Sequence, residues 1–273
     1  MKGKTGIEWT DETNNPVIVC ERVSAGCDNC YAFALHDMRH AIYLKNNGLW
    51  RPDGPAMPKQ YAKPFTEVQF FPERLERVLK DKTPKKIFLN SMSDLFHKSI
   101  PDEYILWCFD IMRQAHWHTF QVLTKRVGRL RRLTPLIPWS ANICIGVSIE
   151  NDPLTARANV LRPIPFATHM LSCEPLLGPL PSLDLTGIDW VITGGESGPN
   201  ARPCEVEWVR DLRDRCVEAG VAFFFKQWGG RTPKVGGREL DGRQWNHFPV
   251  LSQSRARDAM QYDSHTHSII RVE

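Results

Sequence analysis

ICIGVSI, residues 143–149, is the stretch on which the fold turns. Ile143, Ile145, Val147 and Ile149 are β-branched, and no charge interrupts the run, as expected of a parallel strand covered on both faces. Working outward, the same signature recurs. KKIFLNS (residues 85–91) and TFQVLT (119–124) precede it, and THMLSC (168–173), DWVITGG (189–195) and VAFFFK (221–226) follow. Between these runs lie amphipathic segments. Ile105, Cys108, Phe109 and Met112 repeat at helical spacing behind a Pro101-Asp102 start. Residues 206–219 read as a second helix, with Gly220 placed to end it. Residues 72–80 and 153–161 are further helical candidates, and another helix starts near Cys30. Strands alternating with helices predict an α/β fold with right-handed crossovers. The expected architecture is a partial or complete (β/α) TIM-like barrel of six or seven parallel strands; an open doubly wound sheet is the alternative.

The chain has 273 residues, 42% of them apolar. That composition supports a sizeable core and excludes disorder as the main state, and the length suits one barrel of about 250 residues. Residues 1–250 are expected to form a single domain. Residues 251–273, which hold His265 and His267 but no apolar periodicity, read as a C-terminal extension. No run of about 18 consecutive apolar residues is present, so no membrane span is expected. With no charged-then-apolar leader at Met1, the expected location is cytoplasmic. The net charge of +4 permits a polyanionic partner without requiring one. Eight cysteines in such a chain are expected to be thiols, not disulfides.

Parallel α/β folds build their sites at the carboxyl ends of strands. In order, the six apolar runs end in Ser91, Ser93 and Asp94; in Thr124, Lys125 and Arg126; in Ser148 and Glu150; in Ser172 and Glu174; in Gly194, Gly195 and Glu196; and in Lys226 and Gln227. Any one of these is ordinarily a solvated loop charge. Six in register predict a polar, mixed-charge mouth suited to a zwitterionic or multiply charged ligand. Gly194-Gly195 lacks the spacing of a dinucleotide fingerprint and the Lys-Ser/Thr of a P-loop, although two glycines permit close backbone approach.

Cys20, Cys27 and Cys30 cluster in CERVSAGCDNCYAF, with six and then two residues between them. Three soft thiolates in one loop suit zinc or an iron–sulfur cluster. Zinc wants a fourth ligand, for which His36 or His40 is near in sequence. A [4Fe–4S] cluster held by three thiolates keeps one iron open to a ligand, which makes such a site catalytic.

Three early cysteines ahead of a parallel α/β barrel resemble the radical S-adenosylmethionine superfamily, although the first gap is longer than that superfamily's commonest spacing. The longer gap is similar to that of a phage-associated, three-cysteine-motif, radical-SAM-like family. IEWTDETNNPVIVC, CDNCYA, LTKR, GVSIEN, SCEPLLGPL, ITGGESGPNARP, FFFKQWGG and LDGRQWNHFP resemble that family's blocks from residue 7 to residue 249. The resemblance implies a [4Fe–4S] cluster on Cys20, Cys27 and Cys30, S-adenosylmethionine at its open iron, and an external electron donor of reductase or flavodoxin type. It also implies Tyr31, after the last cysteine, packing near the cosubstrate. Ser91, Ser93, Asp94, Lys125, Arg126, Ser148 and Glu150 are then candidates to bind S-adenosylmethionine, and Glu174, Glu196 and Lys226 to act on substrate.

Lys125, Arg126, Arg129, Arg131 and Arg132 lie close together and begin at a strand's carboxyl end, where they could meet phosphates; a solvated helix face is the plainer account. Trp107 and Trp208 fall in helical patterns and read as core, whereas Trp228 and Trp245 are expected to face the site and stack on a flipped base. Phage association, with a host-cytoplasmic location, points to a modified pyrimidine in DNA as substrate and to a radical rearrangement. A small molecule or a peptide is the alternative substrate. A zinc-stabilised nucleic-acid-binding protein is the alternative class.

Overall fold

The computed structural model describes residues 5–232 and 235–249, so the extension expected at 251–273 lies outside the described residues. Its elements run β1 (Glu12–Asn14), β2 (Val17–Ile18), α1 (Tyr31–Lys45), β3 (Gln69–Phe70), α2 (Pro72–Glu76), β4 (Lys86–Leu89), α3 (Asp102–Gln114), β5 (Thr119–Thr124), α4 (Val127–Leu133), β6 (Ile143–Ser148), β7 (Thr168–Cys173), β8 (Trp190–Gly194), α5 (Val206–Glu218) and β9 (Ala222–Gln227). Seven strands pair in the order β1-β4-β5-β6-β7-β8-β9, every pair parallel, in a sheet curled into a half-barrel. The six predicted strands are all present. The seventh, β1, is the polar tripeptide ETN, which pairs with Ile87–Leu89 and carries no apolar pattern.

The alternation of side chains along the strands sorts the core into two layers. Leu89, Val122, Ile145, Leu171, Val191 and Phe225 meet Phe109, Met112, Leu130, Val209 and Leu212 of the helices in one continuous cluster. The opposite, concave face holds Phe88, Cys144, Met170, Trp190, Ile192 and Phe224, closed over by Trp9 from the amino-terminal segment. Phe248 completes this floor, its ring 5.3 Å from Trp190 and 5.6 Å from Phe224. The same alternation carries Ser148, Ser172 and Lys226 onto the concave side as each strand approaches its carboxyl end.

The helices at 102–114 and 206–218 form as predicted, and Gly220 ends the second with φ +67°. Residues 72–80 split into α2 and a 3-10 turn, Arg77–Leu79. The candidate at 153–161 is 3-10 and not α (Asp152–Val160). There the Thr155 hydroxyl donates to the Asp152 carbonyl at 2.8 Å, and the Asp152 carboxylate accepts from the Ser182 N–H and hydroxyl. Past β9 the chain returns along the sheet edge: Phe225 donates its N–H to the Trp245 carbonyl, and His247 donates its own to Phe223. Among the described residues, no helix is long and apolar enough to cross a membrane.

Candidate functional site

The segment carrying the three clustered cysteines crosses the carboxyl-end rim of the half-barrel, where it touches one strand end after another. The Cys20 N–H donates to the Phe65 carbonyl at 2.9 Å. Cys20 and Cys30 flank a small apolar cluster of Ile18, Ala32, Phe33 and Phe65. Arg126, just past β5, donates to the Glu21 carbonyl at 3.2 Å and pairs with Asp94 at 2.8 Å. Ser24 donates to the Glu150 carboxylate past β6 at 2.7 Å. Arg202 and Asn29 bind Glu196 past β8, and Arg202 also takes the Ala25 carbonyl at 2.8 Å. The Tyr31 hydroxyl reaches the Ser91 carbonyl past β4 at 2.7 Å. Sequence separations of up to 177 residues are bridged in this way.

All eight cysteines are free thiols. Burial pushes the Cys20 thiol up to about 12; Asp94 adds to the shift, Arg126 offsets part of it, and Cys30 and Cys27 add further. The Cys27 and Cys30 thiols are therefore within electrostatic reach of Cys20. Among the described residues, no three His, Cys, Asp or Glu side chains are gathered as ligands for one metal ion. A cuboidal cluster spreads its thiolates over several irons and asks for wider spacing than the roughly 2.3 Å bonds of a single zinc. Neither histidine considered as a zinc ligand turns to the loop. His36 is buried, stacks on Phe65 at 4.6 Å and shares a hydrogen bond with the Gln60 carbonyl, while His40 bonds the Tyr61 carbonyl. With both imidazoles turned to backbone carbonyls, neither His36 nor His40 stands as a fourth ligand beside the three thiols.

The structure places every predicted rim residue at the mouth but divides them by what they already hold. Asp94 takes the Phe96 N–H, the Thr124 hydroxyl, the Lys125 N–H and the Arg126 guanidinium, which ties the ends of β4 and β5 together. Ser93 donates to the Val17 carbonyl, and Asn15 binds Ser91, so both hydroxyls serve the turn after β4. Glu150 is fully buried and takes Lys125, Arg157 and Ser24; Ser148 lies buried beside it. Glu196 takes Asn29 and both backbone and side chain of Arg202. Burial works to raise its pKa, but these donors hold the carboxyl below the usual range.

Glu174 and Lys226 differ. They pair at 2.8 Å and stay partly exposed, and a 3.4 Å contact from Ser172 is the further hydrogen bond to Glu174 among the described residues. Glu174 follows the end of β7 and Lys226 lies near the end of β9, so the pair stands on the rim that the cysteine loop crosses.

Two expectations fail. Trp245 is buried in the main core with its indole N–H on the Leu240 carbonyl, and Trp228 packs edge-on against Phe225 on the helix side, its N–H on the Glu239 carbonyl. Trp228 lies just past the end of β9 at Gln227, so the strand's alternation does not set its side. Trp107 and Trp208 pack against the core as predicted. The basic run is also largely spent: Lys125 pairs with Glu150, Arg126 with Asp94, and Arg129 and Arg132 with Asp102. Residues that sequence reasoning passed over, Ser24, Asn29, Arg157 and Arg202, prove to be the partners of the rim carboxylates. Asn29 and Arg202 carried one signal, a place inside the distinctive blocks CDNCYA and ITGGESGPNARP; Arg157 lies in none of the blocks.

A family model described as Protein of unknown function (DUF5131) matches residues 4–249. No curated protein and no solved structure matches the chain.

Proposed function

We propose, for a chain that belongs to the DUF5131 family over nearly its whole length, that it is a radical S-adenosylmethionine enzyme. One observation carries this reading: the loop of Cys20, Cys27 and Cys30 lies across the carboxyl-end rim of a parallel half-barrel, anchored to the ends of β4, β5, β6 and β8. A redox centre at that position faces the mixed-charge mouth where α/β folds bind their ligands. Cys20, Cys27 and Cys30 would hold a [4Fe–4S] cluster. When bound and reduced by an external donor, the cluster supplies one electron to S-adenosylmethionine, which splits into methionine and a 5′-deoxyadenosyl radical able to take a hydrogen atom from substrate.

The chain's own residues then divide the remaining work. Tyr31 spans from Cys30 to the Ser91 carbonyl and walls the cosubstrate side of the mouth, next to Ser91 and Ser93. Ser148 lines the concave face beneath it. Glu174 and Lys226 keep unspent hydrogen-bonding capacity and face the substrate, the carboxylate for an amine and the ammonium for a carboxylate. A modified pyrimidine in DNA, undergoing radical rearrangement, is the substrate favoured by the resemblance to the phage-associated family. The paired state of the basic run adds little to it, because Arg131 alone of the five cations lacks a partner among the described residues.

The test is anaerobic reconstitution with iron and sulfide, followed by reduction with S-adenosylmethionine present. Broad visible absorption, labile sulfide and release of methionine and 5′-deoxyadenosine are expected, all lost in Cys27→Ala. Full iron content in a triple cysteine variant, or S-adenosylhomocysteine as the only product, overturns the reading. Deuterium passing from a labelled modified base in duplex DNA into 5′-deoxyadenosine identifies the substrate. Transfer from a small molecule or peptide instead keeps the chemistry and replaces the DNA.

A further inference from the structure

The cysteine loop has little apolar surface to hold it. Within residues 20–30 only Cys27 is buried, so hydrophobic burial does not account for the loop's fixed course. Polar contacts do, and they converge on two carboxylates. At one end Ser24 donates to Glu150, and the Gly26 backbone lies so close that a Cβ there would fall 2.5 Å from the Glu150 Cγ. Glu150 is in turn held by Lys125 and Arg157. At the other end Asn29 donates to Glu196 at 2.9 Å. Arg202 grips Glu196 through its backbone N–H, Nε and Nη2, then passes to the Ala25 carbonyl and to Asp28 at 3.5 Å.

A carboxylate accepts about four hydrogen bonds. Glu196 takes four, and Glu150 takes three while fully buried. Neither has much capacity left for a ligand, and both charges are matched by cations that the chain itself supplies. The loop supplies one donor to each, Ser24 and Asn29, while Lys125, Arg157 and Arg202 fix the carboxylates in place, and Arg202 itself reaches the loop at the Ala25 carbonyl.

We propose that Glu150 and Glu196 are positioning residues, two latches that hold the three-thiol loop in its ligand-ready course before any cofactor arrives. The idea rests on the proposed function only for what the thiols hold; the latches themselves are properties of the metal-free chain. They reassign both glutamates, which the sequence placed against cosubstrate and substrate.

The test uses the full-length, metal-free, reduced protein, so its outcome is independent of whether iron or S-adenosylmethionine ever binds. Amide hydrogen exchange over residues 20–30 and the rate of Cys27 alkylation by N-ethylmaleimide are read together. Losing a charge-assisted contact of about 1.5–3 kcal/mol corresponds to at least about tenfold faster local opening. Glu196→Ala and Arg202→Ala are each expected to show that acceleration in both readouts, with amides of β5, β6 and β7 unchanged. Gly26→Ala should open the loop from the Glu150 side. Glu196→Gln keeps the shape and one acceptor but loses the charge and the second acceptor, so it should retain only part of the protection; full wild-type protection in it would assign the effect to packing. Wild-type loop amides that already exchange freely, variants with wild-type protection, or exchange rising equally through the sheet would each overturn the proposal.

Discussion

At the amino end of the concave face, Trp9, Phe88, Trp190 and Phe224 fill the half-barrel with rings; at the carboxyl end the same face bears Lys125, Glu150, Glu174 and Lys226. The lower region is ring surface, with the Trp9 indole N–H and the Gln121 Oε1 as its unpartnered polar atoms among the described residues. The upper region is dense in charge, yet most of it is already committed within the chain. Subtracting the committed pairs leaves the Glu174–Lys226 pair on the rim that the cysteine loop crosses. A charged rim is thus a poor guide to a site until each charge has been assigned its partner. In an α/β fold the floor answers for stability and the unspent part of the rim for binding.

The sharpest way to break that contrast is in the floor. Trp190→Ala removes a buried indole that meets Trp9, Phe224 and Phe248, and should cost about 3–5 kcal/mol in urea unfolding. The thiol loop, anchored to the opposite end, should keep its exchange protection below the unfolding transition. A loss under about 1 kcal/mol would mean the floor is not the structural half.

A smaller effect on stability is expected at the rim. Removing both members of a buried or half-buried ion pair is often nearly neutral, so the double variant Glu174→Gln, Lys226→Met should unfold within about 1 kcal/mol of wild type. Under the proposed function it should still cleave S-adenosylmethionine slowly without substrate, while substrate-dependent turnover is lost. A destabilisation matching Trp190→Ala would make the pair a fold element and remove it from the site.

The smallest effect is a pH slope. Burial lowers the pKa of His36 below its usual 6.5; the Gln60 carbonyl and Asp37 act to raise it, and His40 to lower it. Burial likewise lowers His97, with Arg126 and Lys98 assisting and Glu21 and Asp94 opposing. The unfolded chain takes up these protons near pH 6.5 and the folded chain does not. Stability from this source is complete above that pH and declines below it, by at most about 1.4 kcal/mol per pH unit for each histidine. His36→Phe should flatten part of the decline in unfolding midpoints measured between pH 7.5 and 5.5. An unchanged slope would place the acid sensitivity elsewhere.

How much of this was legible depends on whether the signal is local. β6 and β7 are apolar on both faces, so their runs announce themselves; β1 is a strand only because Ile87–Leu89 lies beside it. The rim follows from strand ends and fold class, which is why the sequence puts Glu150, Glu174 and Lys226 at strand ends, where they lie. What each one binds did not follow, because Arg157 and Arg202 reach their carboxylates through the tertiary fold and leave no spacing behind. Trp228 was misplaced for a related reason: it follows the last residue of β9, where the alternation that orders the strand no longer holds.

The return of residues 245–247 along β9 has a consequence for how the molecule behaves in company. A half-barrel is an unclosed sheet, and its last strand would otherwise present a row of free amides and carbonyls as a template for another chain. Here that row is occupied from within: Phe225 and Phe223 are bonded to Trp245 and His247, with Phe224 opposite Asn246. The far edge is only the three residues of β1. The β9 margin is thus closed to strand-by-strand growth and the β1 margin is too short to template much of it, which guards an incomplete barrel against fibrous self-association and leaves its mouth open.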